Sequence, residues 1–220
     1  MRFFFVFLLL CVSSLMVAAQ TQVDSLHYRK IYYMGGTGLS FPVGKAKEVL
    51  GTKFFSGSAG LDIALKDRQY FLSPTLYMLT FKYDQQIDDP KYNYMVENGR
   101  ASFYMLSLTG GKRRQFKRLN TFAYIGPVLG LTFEPRGNLE NNLIKMSNKV
   151  SLTAAGKVGM GADYKFPGFF IGAEIGYMRH VKKIEGISMQ FVTVMVGLKS
   201  DITSLSEKVT SVIGIETYKD

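Results

Sequence analysis

Cysteine occurs once in this chain, at Cys11, tryptophan not at all, and histidine only at His27 and His180. The lone cysteine falls inside an apolar leader, so the chain beyond it can form neither disulfides nor thiolate metal sites. Two histidines fall short of the three clustered ligands of a zinc centre, and only His180 with Glu185 is even locally close. After residue 20 no apolar run is long enough for a membrane helix. Phosphate-loop chemistry is missing too, since no Lys-Ser or Lys-Thr follows Gly35-Gly36-Thr37-Gly38, and a dinucleotide fingerprint would need a βαβ context that is absent. No cofactor is expected. Acids are outnumbered, 17 against 27 Lys and Arg, for a net charge of +10. The sharpest basic run is Lys112-Arg113-Arg114 with Lys117 and Arg118. In an exported chain that run points to anionic lipid headgroups or simple solvation rather than to nucleic acid.

Export is expected from the N-terminus. Arg2 precedes an apolar run from Phe3 to Val12, broken by Ser13-Ser14 and ending in Ala18-Ala19. That order predicts a secretory signal over residues 1–19, cleaved after Ala19. Leu10, before Cys11, stands where a lipoprotein cysteine would want a small residue. Residues 20–29 then form a short N-terminal segment.

What is abundant favours strands: 17 Phe, 13 Tyr and 22 Gly. From residue 30 the chain alternates with period two in eight stretches: Tyr32–Val43, Gly57–Lys66, Tyr70–Tyr83, Ala101–Thr109, Asn120–Glu134, Ser151–Lys165, Phe169–His180 and Ser188–Lys199. Most are long for soluble strands and right for tilted membrane-crossing ones. In the sixth, Leu152, Ala154, Val158, Met160 and Ala162 share one face, and Thr153, Lys157, Gly159, Gly161 and Asp163 the other.

This predicts an all-β, antiparallel, up-and-down transmembrane barrel of about eight strands over residues 30–199. The polar, glycine-rich face would line a narrow lumen and the apolar face would meet lipid. Asp62, Lys66, Lys157, Asp163 and Glu174, with Lys82 and Lys199, are the candidate lumen charges, expected to pair with one another. Tyr32, Tyr33, Tyr83, Tyr164, Phe166 and Tyr177 are candidate interfacial aromatics. The gaps Gly44–Ser56, Asp84–Arg100, Pro135–Val150 and Val181–Ile187 are longer than Asp67–Gln69 and Pro167–Gly168, although Gly110–Leu119 breaks the rule. Such asymmetry predicts surface loops on one rim and tight periplasmic turns on the other. Residues 200–220 fit a helix, through Ile202, Leu205, Val209 and Val212, or one more strand.

Gly35 to Gly44, Tyr124-Ile125-Gly126-Pro127-Val128-Leu129-Gly130, Gly156 to Tyr164 and Gly172 to Tyr177 resemble the strands of small outer-membrane barrels of the PorT-like group. The resemblance covers residues 30–199 and implies an eight-stranded barrel of the outer-membrane protein A and X type, mostly without an assigned activity. Its implied setting is the bacterial outer membrane. The expected partners are outer-membrane lipid and lipopolysaccharide, the barrel-assembly machinery and other envelope proteins. A non-enzymatic structural, recognition or secretion-associated role is the leading expectation. The alternatives are a lipid-modifying barrel enzyme, with His180, Ser188 and Glu174 as a paper triad, and a secreted soluble barrel holding an apolar ligand.

Overall fold

The computed structural model describes residues 31–140, 143–166 and 169–202. Residues 1–30, which include the expected signal segment and His27, and residues 203–220 lie outside them. Among the described residues eight strands run in chain order: β1 (Ile31–Pro42), β2 (Leu50–Ala64), β3 (Tyr70–Tyr83), β4 (Gly99–Phe116), β5 (Leu119–Glu140), β6 (Leu143–Phe166), β7 (Phe169–Ile184) and β8 (Ile187–Asp201). Each pairs antiparallel with the next, and β1 closes on β8 from Tyr32↔Asp201 to Pro42↔Phe191. A 3₁₀ turn, Gly44–Glu48, separates β1 from β2.

Alternation decides which side chain faces the lumen. On β6, Thr153, Ala155, Lys157 and Asp163 are buried inside, while Leu152, Val158 and Met160 face out. Outward positions on the other strands are apolar as well: Leu76, Leu106, Ile125, Leu129, Ile175, Val194 and Val196 form an exposed belt. Inward glycines make room for larger neighbours. A Cβ on Gly161 would meet Phe122 Cζ at 2.5 Å, so this position must stay bare for the ring to lie across the lumen.

The strands outrun their expected lengths, and for physical reasons. Gly110–Leu119 is no loop: β4 continues to Phe116, and a two-residue turn led by Lys117 at φ 51° delivers the chain to Leu119. Val181–Ile187 shrinks to Glu185-Gly186, both at positive φ, as two-residue hairpins favour. Pro135–Val150 is mostly paired strand, Glu140↔Leu143 being the last rung. From Leu143 to Val150 both faces meet solvent, so the apolar signal that marks strands elsewhere is missing. Of the expected long loops, only Asp84–Asn98 stays long and irregular. Tyr33 and Tyr164 face outward, but Tyr32 and Tyr83 turn into the lumen, because each stands on the inward parity of its strand.

Candidate functional site

The lumen is filled in layers. Nearest the short turns, Arg113 grips Asp62 with two hydrogen bonds, Nη2 to Oδ1 at 2.7 Å and Nη1 to Oδ2 at 3.1 Å. Lys199 Nζ joins Asp62 at 3.2 Å and Asp163 at 2.6 Å, and Asn120 donates to Asp163 at 3.3 Å. Farther in, Lys157 donates to Tyr77 and lies 3.4 Å from Glu174, which also accepts from Tyr77 Oη at 3.1 Å. A cavity of about 50 Å³ between these layers has room for water and nothing larger. Beyond it comes an apolar plug in which Phe81, Phe103 and Phe191 pack edge-on or tilted, with centroids 4.5–5.4 Å apart.

Of the candidate lumen charges, Asp62, Lys157, Asp163, Glu174 and Lys199 all point inward. Lys66 does not, since β2 ends at Ala64 and leaves it exposed in the turn. Lys82 sits on the outward parity of β3, half-exposed, 3.6 Å from Asp84. The basic run is split by the same alternation: Arg113 enters the lumen while Lys112 and Arg114 stay outside. The paper triad is not brought together. His180 Nδ1 shares a hydrogen bond with Thr153 and its ring packs on Phe103 and Phe191, whereas Glu174 is engaged by Tyr77 and Lys157, and Ser188 pairs with Lys183 at the rim.

The opposite, long-loop rim holds the arrangement with the most functional content. Arg136, 2% exposed, reaches across the mouth. Its Nη2 donates to Glu134 at 3.0 Å and to Glu185 at 2.7 Å, its Nη1 donates to Tyr83 Oη, and its Nε lies 3.8 Å from Asp89. Tyr83 donates in turn to Glu185 at 2.8 Å, and Glu185 accepts the Ile87 N–H at 2.7 Å. One guanidinium thus ties β5 to the 84–98 loop and the β7–β8 turn. A hydrogen bond from Lys149 at 2.7 Å and one from the Lys91 N–H hold the Asp89 carboxyl below its ordinary pKa. Sequence reading passed over Arg136. The signal was present, because Glu134 and Arg136 continue the inward parity of Thr132.

From this clamp the β5–β6 ribbon projects beyond the other strands. Asn93 pins its β5 side: the Leu139 N–H donates to Asn93 Oδ1 at 2.6 Å and Asn93 Nδ2 to the Leu139 carbonyl at 3.2 Å. The Tyr94 N–H donates to the Gly137 carbonyl at 3.2 Å. On the β6 side, pairing with β7 begins only at Ala155↔His180. Residues 143–154 therefore have no strand beside them on that side among the described residues. Because Gly137 and Leu139 aim their backbone groups away from β6, their partners Met146 and Ile144 must aim theirs at the free edge. By the same alternation so do Asn148, Val150 and Leu152. Ile144, Met146 and Val150 are exposed, and the cations Lys145, Arg179, Lys182 and Lys183 stand exposed on β6 and β7 near this edge.

No family model matches the chain, and no curated relative is found. Among solved structures it is similar to Neisserial surface protein A, at 11% identity over 77% of this chain and 96% of that one, with a TM-score of 0.50. It is also similar to a major outer membrane protein from Thermus thermophilus, at 13% identity over 79% and 99% of the two chains, with a TM-score of 0.55. At such identities the likeness concerns the fold, and the resemblance to the PorT-like group holds at the coarser level of small outer-membrane barrels. The chain is built as those small antiparallel outer-membrane β-barrels are.

Proposed function

We propose that the chain is a non-enzymatic integral outer-membrane protein, closed to solutes, that binds an extended acidic polypeptide along the free edge of β6. The exposed apolar belt around a polar, side-chain-filled lumen supports membrane insertion, since a water-soluble barrel would bury its apolar face. The plug of Phe81, Phe103 and Phe191 argues against a pore. The free edge carries the recognition reading. It offers alternate donors and acceptors from Ile144 to Leu152 on a ribbon held rigid by Arg136 and Asn93, as strand addition requires. Unpaired edges are usually blunted, and β6 contains no proline or bulge. The nearby Lys145, Lys182 and Lys183 favour a partner that carries carboxylates.

The test uses the parity of the edge. Asn148→Pro removes an edge donor and leaves the β5 ladder intact, because Asn148 faces Pro135 in a pair without ladder bonds. The probe is a fluorescent peptide of alternating Val and Asp, added to the protein in phosphatidylcholine vesicles. Saturable binding that Asn148→Pro weakens at least tenfold, and that a Val–Lys peptide does not reproduce, is the expected result. Equal binding by the variant, or none by the parent, refutes the edge as the site.

A further inference from the structure

A second site lies on the outer wall near the short-turn rim. The register places Lys112, Ala123, Met160, Ile175 and Val194 in one row across β4 to β8, and Arg114, Thr121, Ala162, Ala173 and Val196 in the next. The row beyond carries Leu119, Tyr164, Ile171 and Leu198. Bulky rows thus flank a low one, and the wall is hollowed into an open groove of about 1470 Å³. Because rows follow the tilted ladder, the groove starts at the rim, close to the turn that opens β5, and climbs toward mid-wall on β8. Five strands at ~4.8 Å spacing give it a run of roughly 19 Å. Its walls are apolar and its open side faces outward.

Charge marks one end. Lys112 and Arg114 are exposed at the groove mouth, with Arg68 of the β2–β3 turn beside them. Lys112 Nζ lies 5.3 Å from the centroid of Tyr70 and the Arg114 guanidinium 5.2 Å from that of Phe116, so both cations rest on aromatic rings at the rim. Asp67 is the acid of the mouth, and its Oδ1 accepts the Gln69 N–H at 3.0 Å. Three cations against one carboxylate leave the mouth positive, while the rest of the groove is uncharged on its outer side. An apolar channel ending in a cationic mouth at the membrane boundary is complementary to a chain molecule with an anionic head.

We propose that this groove seats one acyl chain of an anionic phospholipid whose phosphate is held by Lys112 and Arg114. The inference rests on membrane insertion but not on the β6 edge. Short-turn placement assigns the lipid to the leaflet on that side, so phospholipid is the occupant rather than lipopolysaccharide. Two cations at an anionic headgroup, partly neutralised by Asp67, give about a tenfold preference for the anionic lipid.

The experiment is native mass spectrometry of the full chain released from vesicles of equal phosphatidylglycerol and phosphatidylcholine with matched chains. Retained lipid should be enriched about tenfold in phosphatidylglycerol. Lys112→Gln with Arg114→Gln should bring the ratio close to one. Ala162→Phe, which fills the groove, should reduce retention of both lipids. Heat-modifiable migration on gels identifies variants that remain folded, and Ala173→Phe replaces Ala162→Phe if the latter does not. Equal retention of the two lipids by the parent, an unchanged ratio in the double variant, or displacement of phosphatidylglycerol by lipopolysaccharide overturns the proposal. Failure of the parent to insert into vesicles at all would instead overturn the membrane reading beneath it.

Discussion

Asp62 is the residue on which the inner charge network turns, and replacing it should be the most damaging change in the lumen. It is 2% exposed and is shared by Arg113, through two hydrogen bonds, and by Lys199 at 3.2 Å. The four charges Asp62, Asp163, Arg113 and Lys199 sum to zero. Asp62→Leu leaves two cations to one carboxylate, with Arg113 deprived of its bidentate acceptor. Removing one partner of a buried pair costs about 3–5 kcal/mol. Arg113→Met is expected to be milder, about 1–3 kcal/mol, because Lys199 still faces Asp62 and the methionine keeps the contact that Arg113 makes with Phe71. Asp62→Leu combined with Arg113→Met removes the pair as a neutral unit and leaves Lys199 with Asp163 at 2.6 Å. That double variant should fall within about 1 kcal/mol of the parent, since apolar replacement of a buried pair is often neutral or better. Urea unfolding in phosphatidylcholine vesicles, followed by far-ultraviolet circular dichroism because the chain has no tryptophan, measures all three. Equal costs for the two single variants and a simple sum in the double would mean that the lumen charges act independently in water, and the network argument would fail.

Two further outcomes test other parts of the molecule. Ile175→Arg, on the outward belt, should destabilise the barrel by about 2–4 kcal/mol in vesicles if the position lies near the bilayer midplane; a near-neutral effect by the same unfolding assay would remove Ile175 from the lipid face. Asp89 supplies a pH dependence. Its folded pKa is lowered, so the stabilisation it gives the 84–98 loop is complete above its unfolded value and is lost as pH falls through the lowered one. Spin labels on the loop and on the ribbon should separate on acidification below roughly pH 4, and Asp89→Asn should produce the same separation at neutral pH. An unchanged distance in both cases would show that Lys149 does not hold the loop.

The wall of the barrel was legible in the sequence because one physical rule governs it. Where one face meets an apolar medium and the other a crowded polar lumen, alternation is strong, and stretches such as Ser151–Lys165 and Phe169–His180 lie wholly within β6 and β7. The rule fails where the environment becomes the same on both faces. Leu143 to Val150 are exposed throughout, so strand pairing there leaves no period-two trace. β4 between Gly110 and Phe116 fails for a different reason. Its outward positions near the rim carry Lys112 and Arg114, which read as a loop when counted as charges. The rim site was hidden because its parts are far apart in sequence: Tyr83, Asp89, Arg136 and Glu185 meet only when the strands close. Lys66 shows the converse error, since correct alternation was carried two residues past the end of β2.

The clamp and the free edge belong together on energetic grounds. An isolated two-stranded ribbon is marginal in water, and among the described residues no strand pairs with β6 on the β7 side before Ala155. Without the Arg136 hydrogen bonds and the Asn93 pins, residues 137–140 and 143–150 would have to be ordered when a partner arrives, at a backbone cost of about 1–2 kcal/mol for each residue fixed. With the β5 side already pinned by Tyr94 and Asn93, most of that ordering precedes binding, and the edge hydrogen bonds from Ile144 to Leu152 can go toward affinity instead. The charge of the clamp is also contained: Glu134, Glu185 and Asp89 surround Arg136, so the basic character left at this rim comes from Lys145, Arg179, Lys182 and Lys183. A rigid ribbon whose clamp is tied up in its own ion pairs, next to the exposed cations Lys145, Lys182 and Lys183, selects against basic segments while remaining open to acidic ones.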